Sequence, residues 1–205
     1  MPYDPNRHHR RSIRLKGYDY AQTGAYFITL CAVDRACLFG EIVDGEMKLN
    51  LFGQIVAESW QWLAMQYDYV ELDAWVVMPN HLHGIIVTAD AGRGGSRTAP
   101  TTTDTVPTVK RKPMGRLIGA FKTVSAKRIN EHRGTPGAPV WQRNYYEHII
   151  RHERDLNAVR RYILENPLRW HLDRENPARV PVGAVQPRAV HEPGAVHEPP
   201  LRGDL

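Results

Sequence analysis

Two apolar runs, Tyr69–Met78 and His81–Thr88, are parted only by Pro79-Asn80, and this narrows the folds open to the chain more than any other feature. Both are rich in β-branched and aromatic residues and read as strands. A two-residue break leaves no room for a crossover, so the strands form an antiparallel hairpin. Upstream, Gly24 opens a third run of strand composition, Ala25–Val33. Leu38–Val43 and Met47–Leu49 flank Asp44-Gly45, a pair that tolerates positive φ and marks a second hairpin. Asn50 can cap a helix over Leu51–Gln66, with Ile55, Ser59, Trp62 and Leu63 on one face. A second helix is expected from Pro113 to His132, burying Leu117, Ile118, Phe121, Val124 and Ile129. Val140–Ile150 reads as a last strand. A final helix runs from Glu153 to Asn166, where Pro167 disfavours helical geometry in the residue before it.

The order β, hairpin, α, β, β, α, β, α predicts an α+β domain, with a ferredoxin-like or RRM-like antiparallel sheet and helices packed mainly on one face. That domain is expected over 21–179. Residues 1–20 read as a basic arm, and 89–109, rich in Gly, Ser, Thr and Pro, as a flexible loop. Residues 180–205 hold two near-copies of Ala-Val-His-Glu-Pro and read as a disordered tail. The longest apolar runs are too short to span a bilayer, and the N-terminus shows no apolar secretion segment. Two cysteines, Cys31 and Cys37, support neither a disulfide scaffold nor a four-sulfur site, and read as small buried hydrophobes. A cytoplasmic location follows as the expectation. The formal net charge of +5 leaves nucleic acid open as a partner. No glycine-rich phosphate loop follows a strand, so no nucleotide cofactor is expected.

Two segments carry chemistry. In Met78-Pro79-Asn80-His81-Leu82-His83-Gly84, strand alternation projects His81 and His83 to one face and Leu82 to the other. Two neighbouring imidazoles on a rigid strand form a partial metal site. A plainer reading, two partly exposed histidines at a strand start, stays open on spacing alone. In Tyr162-Ile163-Leu164-Glu165-Asn166, helical geometry places Leu156, Val159, Ile163 and Asn166 in one arc with Tyr162 at its edge. Tyr162 and Asn166 are one turn apart and can reach one point beside the sheet. Alternatively, Tyr162 is a core-edge aromatic and Asn166 only a helix-end residue.

These segments resemble the HUH single-tyrosine transposases, and among them the REP-associated tyrosine transposases. The resemblance is carried by Gly17-Tyr18-Asp19-Tyr20 with Thr23–Thr29, then by Val77–Gly84, by Val140-Trp141-Gln142-Arg143-Asn144-Tyr145-Tyr146 through Arg151, and by Tyr162–Pro167, in that order. It implies an HUH endonuclease fold and one divalent ion held by His81, His83 and Asn166. It implies Tyr162 as nucleophile, and a folded single strand with an imperfect hairpin as the DNA ligand. The donors suit Mg²⁺ or Mn²⁺. A phenol with an ordinary pKa of about 10 is a poor nucleophile at neutral pH unless a cation holds the scissile phosphate. Its attack would leave a 5′-phosphotyrosine and a free 3′-hydroxyl. Lys110, Arg111, Arg116, Lys122, Lys127, Arg128 and Arg143 are the expected DNA-binding cations. Trp141, Tyr145 and Tyr146 are candidate stacking faces for unpaired bases. Either a monomer or a homodimer fits. A non-catalytic nucleic-acid-binding module on the same sheet is the alternative.

Overall fold

The computed structural model describes residues 19, 20, 22–89 and 111–179. Most of the expected basic arm, most of the expected loop with Lys110, and the expected tail lie outside the described residues. The elements are β1 (Gly24–Cys31), β2 (Gly40–Val43), β3 (Glu46–Leu49), α1 (Leu51–Gln66), β4 (Val70–Val77), β5 (His81–Thr88), α2 (Met114–Arg133), β6 (Tyr146–Ile150) and α3 (Glu153–Glu165). Short 3₁₀ turns follow β1 (Val33–Arg35) and α3 (Pro167–Leu172).

Local chemistry sets several of these boundaries. Asp44 (φ 53°) and Gly45 (φ 78°) both take positive φ, which turns β2 back onto β3 with the twist that the strands require. The Asn50 side chain accepts from the Gly53 amide at 3.0 Å and satisfies one of the first unpaired N–H groups of α1. Gly134, in the left-handed region, closes α2.

The main sheet has the order β4-β5-β1-β6, and every neighbouring pair is antiparallel. With the separate β2–β3 hairpin set aside, this is the ferredoxin-like strand order. Tyr26, Ile28, Leu30, Leu82 and Ile86 join Val56, Trp60 and Leu63 of α1 and Leu117, Ile118 and Phe121 of α2 in the main core. Gly84 admits this packing, because a Cβ there would lie 2.5 Å from Trp60 Cζ2. A smaller cluster unites Phe27, Val76, Ile85 and Val87 with Leu156, Val159 and Ile163 of α3. The two long helices thus share one face as expected, while α3 covers the other. No helix among the described residues is long and apolar enough to cross a membrane.

Two boundaries differ from the sequence reading. The last strand begins only at Tyr146; Val140–Asn144 approaches it as a connection with one bridge, Ala32 to Trp141. The Trp141 indole turns into the core between Phe39 and Phe121 (ring centroids 5.0 and 5.4 Å), and its N–H donates to Ser125 Oγ at 2.9 Å. It is therefore no stacking face for bases. At the end of α3, Asn166 keeps right-handed helical dihedrals (φ −59°, ψ −42°) despite Pro167. Proline there opens a new 3₁₀ turn, at a position where its missing N–H costs no hydrogen bond.

Candidate functional site

Strand β5 carries His81 and His83 side by side, with ring centroids 4.4 Å apart. Both are buried, at 0% and 3% exposure, which sets aside the reading of two partly exposed histidines. Each ring has one supported and one converging nitrogen. His81 Nδ1 meets Asn80 Oδ1 at 2.8 Å, and His83 Nδ1 meets Thr29 Oγ1, across the β1–β5 register, at 2.9 Å. The two Nε2 atoms stand 3.0 Å apart. Burial lowers the His81 pKa to about 3, and burial followed by the neighbouring His81 pushes His83 well below the usual range. At neutral pH both rings are therefore uncharged donors.

Helix α3 brings Tyr162 across this pair. Its Oη lies 3.3 Å from His83 Nε2, and its ring meets Phe27 edge-on with centroids 6.0 Å apart. The phenol is 46% exposed, so a large substrate can reach it. Desolvation, then the charge of Asp173, raise its pKa above the ordinary value, and Asn166 opposes them. One turn on, Asn166 is 4% exposed, and its Oδ1 has no hydrogen-bond partner among the described residues. A buried orphan acceptor costs on the order of 1–3 kcal/mol.

The sequence reading missed Asp173. Its Oδ2 lies 3.9 Å from His81 Nε2, its side chain is 7% exposed, and the donor atoms of His81, His83 and Asp173 fall within 4.8 Å of one another. Asp173 follows a 3₁₀ turn that no apolar period announces, so only an acidic residue just past the last helix marked it in the sequence.

This donor set fits a divalent cation. Two donors bound at about 2.1 Å and at right angles on one ion stand about 3 Å apart, as the Nε2 atoms do. The carboxylate of Asp173 completes the cluster, and the uncompensated amide of Asn166 lines the same cleft as His83 and Asp173. Tyr146, Tyr162, Arg169 and Arg174 are among the residues around the adjoining cleft of about 650 Å³.

No family model matches the chain. An uncharacterised protein of Haemophilus influenzae is 40% identical over 176 residues, which cover 83% of this chain and 95% of that protein. The chain belongs to one family with this protein. Among solved structures, a REP-associated tyrosine transposase bound to a REP hairpin is similar over 78% of this chain and 74% of that chain, with a TM-score of 0.50 and 20% identity. The chain has the fold of a REP-associated tyrosine transposase.

On this fold the expected DNA-binding cations among the described residues lie apart from the histidines, mostly on or beside α2. Arg111 and Arg116 line a cleft of about 780 Å³ together with Lys112 at the start of α2. Arg143 is exposed in the connection before β6. Lys127 is exposed and lies 3.8 Å from Glu131. Arg128 pairs with Glu58 and donates to Ser59 Oγ at 3.4 Å. The Lys122 ammonium donates to the carbonyls of Gln142 at 2.7 Å and Asn144 at 2.9 Å, and burial lowers its pKa to about 8. Lys122 and Arg128 thus make intramolecular contacts. Tyr145 donates to Glu147 at 2.8 Å, whereas Tyr146 is half exposed beside Phe27. Neither cysteine is buried: Cys37 is exposed, and Cys31 is half-buried. The Cys31 thiol donates to the Glu175 carboxylate at 3.5 Å, and burial, then Glu175, push its pKa up to about 12.

Proposed function

We propose that the chain is a metal-dependent transposase that cleaves and rejoins hairpin-containing single-stranded DNA, with Tyr162 as the nucleophile. One observation carries the reading: the Tyr162 hydroxyl stands 3.3 Å from the nitrogen of a buried, uncharged histidine pair. His81, His83, Asp173 and Asn166 would hold the ion, Mg²⁺ or Mn²⁺ by the hardness of the oxygen donors. When bound, such an ion supplies charge withdrawal from the scissile phosphate and stabilisation of the departing sugar oxygen.

The chain's own groups do the rest. Tyr162 Oη attacks the phosphorus, the P–O3′ bond breaks, and a 5′-phosphotyrosine and a free 3′-hydroxyl remain. The raised phenol pKa keeps Oη protonated at rest, and the half-exposed site lets solvent take that proton during attack and return one to the departing O3′. A later 3′-hydroxyl reverses the step without a nucleotide cofactor. Arg169 and Arg174 stand at the cleft where the strand would pass. Lys110, Arg111, Arg116, Lys122, Lys127, Arg128 and Arg143 remain the candidate phosphate contacts. The exposed Arg116, Arg143 and Lys127 are best placed for it. The similar solved structure holds a REP hairpin, which supports hairpin DNA as the ligand. A non-catalytic module reading bases on an open RRM-like sheet is disfavoured, because α3 packs on the face that the histidines share.

The test is a hairpin oligonucleotide incubated with the chain and Mg²⁺ or Mn²⁺, then run on a denaturing gel. A covalent protein–DNA band is expected, absent from Tyr162→Phe while that variant still shifts the hairpin on a native gel. A band that persists in Tyr162→Phe overturns the assignment of the nucleophile.

A further inference from the structure

His81 and His83 are supported by chemically unlike partners. Asn80 is fully buried, and its Nδ2 donates to the carbonyls of Arg35 at 2.9 Å and Glu175 at 2.6 Å. With the amide nitrogen so engaged, it is Oδ1 that meets His81 Nδ1 at 2.8 Å, and an amide oxygen can only accept. His81 therefore carries its proton on Nδ1, and its Nε2 presents a lone pair. His83 Nε2 faces that lone pair at 3.0 Å. Two facing lone pairs repel, so with no cation between them His83 carries its proton on Nε2 and donates it to His81. Its Nδ1 then accepts from the Thr29 hydroxyl at 2.9 Å. Unlike an amide oxygen, a hydroxyl can donate or accept by rotating about its C–O bond.

We propose that Asn80 and Thr29 are the positioning residues of the site: Asn80 locks His81 in the Nδ1–H form, and Thr29 lets His83 exchange its proton from Nε2 to Nδ1 when a cation takes Nε2. The inference rests on the metal reading above. The exchange balances, since one proton leaves Nε2, one arrives at Nδ1, the Thr29 hydroxyl turns from donor to acceptor, and both rings stay neutral. Asn80 also fastens the acidic side of the site. Its bond to the Glu175 carbonyl holds the segment in which the Glu175 N–H donates to Asp173 Oδ1 at 2.7 Å, while Oδ2 lies on the His81 side. Locked ligand orientation of this kind is worth 10–100-fold in metal affinity in characterised sites.

Long-range ¹H–¹⁵N spectra of chelator-treated protein at pH 7 read the tautomers directly. His81 is expected as Nδ1–H and His83 as Nε2–H. Saturating Mg²⁺ should move the His83 proton to Nδ1 and leave His81 unchanged. By calorimetry, Thr29→Val should weaken Mg²⁺ binding at least tenfold, by the same orientation effect, and Thr29→Ser should restore it. Asn80→Asp keeps the acceptor and loses the donor, so His81 should stay Nδ1–H while amides near Glu175 exchange faster. A His81 proton on Nε2 in the wild type overturns the lock, as does a Thr29→Val variant that binds like the wild type overturn the exchange. A wild-type chain that binds no Mg²⁺ sinks the metal reading and the His83 exchange with it, while the chelator-treated spectrum still decides the His81 lock.

Discussion

Lys122 shows how burial, more than charge, decides what a basic residue does. Its ammonium is turned toward the carbonyls of Gln142, Arg143 and Asn144, and its pKa falls from 10.5 to about 8 because burial disfavours the charged form. Below about pH 8 it is protonated folded and unfolded; between about 8 and 10.5 the unfolded chain holds the extra proton. Stability from this group therefore rises with pH across that window. Relative to Lys122→Met, the wild type should gain stability between pH 7.5 and pH 10 in urea denaturation; a constant difference would contradict the inward ammonium. At His81 and His83 the same burial works toward donor chemistry, keeping both lone pairs unprotonated at neutral pH. Their shared face followed from strand alternation alone. The orphaned oxygen of Asn166 was half legible, as a polar residue on an apolar stripe.

Helix α3 is the element that turns a histidine pair into a site. Ile163, fully buried against Ile85 and Ile150, sets the rotation that leaves Tyr162 at the edge and Asn166 inside. Arg160 braces it to the sheet through Asp73, at 2.8 Å from Nε to Oδ1. Ile163→Val should cost about 1 kcal/mol, by the lost methyl and partial cavity. Chemical denaturation would check it, and an unchanged midpoint would mean that the ring of contacts around Ile163 is looser than described. On β5, Gly84 does the complementary work, leaving space for Trp60 on the opposite face from the histidines. The shorter β6 has a similar cause: burying the Trp141 indole between Phe39 and Phe121 draws the chain out of the sheet before Tyr146. A run of strand-forming residues does not reveal that competition.

Over the whole molecule, one chain supplies every group that the proposed chemistry needs, with Tyr162 already beside its own His83. Mixing Tyr162→Phe with His83→Ala should therefore restore no covalent hairpin product. Recovery of the band on a denaturing gel would show that active sites are shared between copies. The β4–β5 and β2–β3 pairings and the split of apolar residues between two faces come from local rules: turn chemistry, a two-residue connection and alternation, each read within a few residues. For the same reason the sequence by itself determined that two histidines share a face, and that a phenol and an amide lie one helical turn apart. Only the tertiary structure decided that these two pairs meet. It also decided that Asp173 joins them from beyond the last helix, and that Asn80 and Thr29 stand behind the imidazoles. Those contacts join residues 54 to 95 positions apart, or depend on a side chain's packing. Chain periodicity records which way a residue points along its own element, and the approach of two elements is fixed by how their buried faces fit.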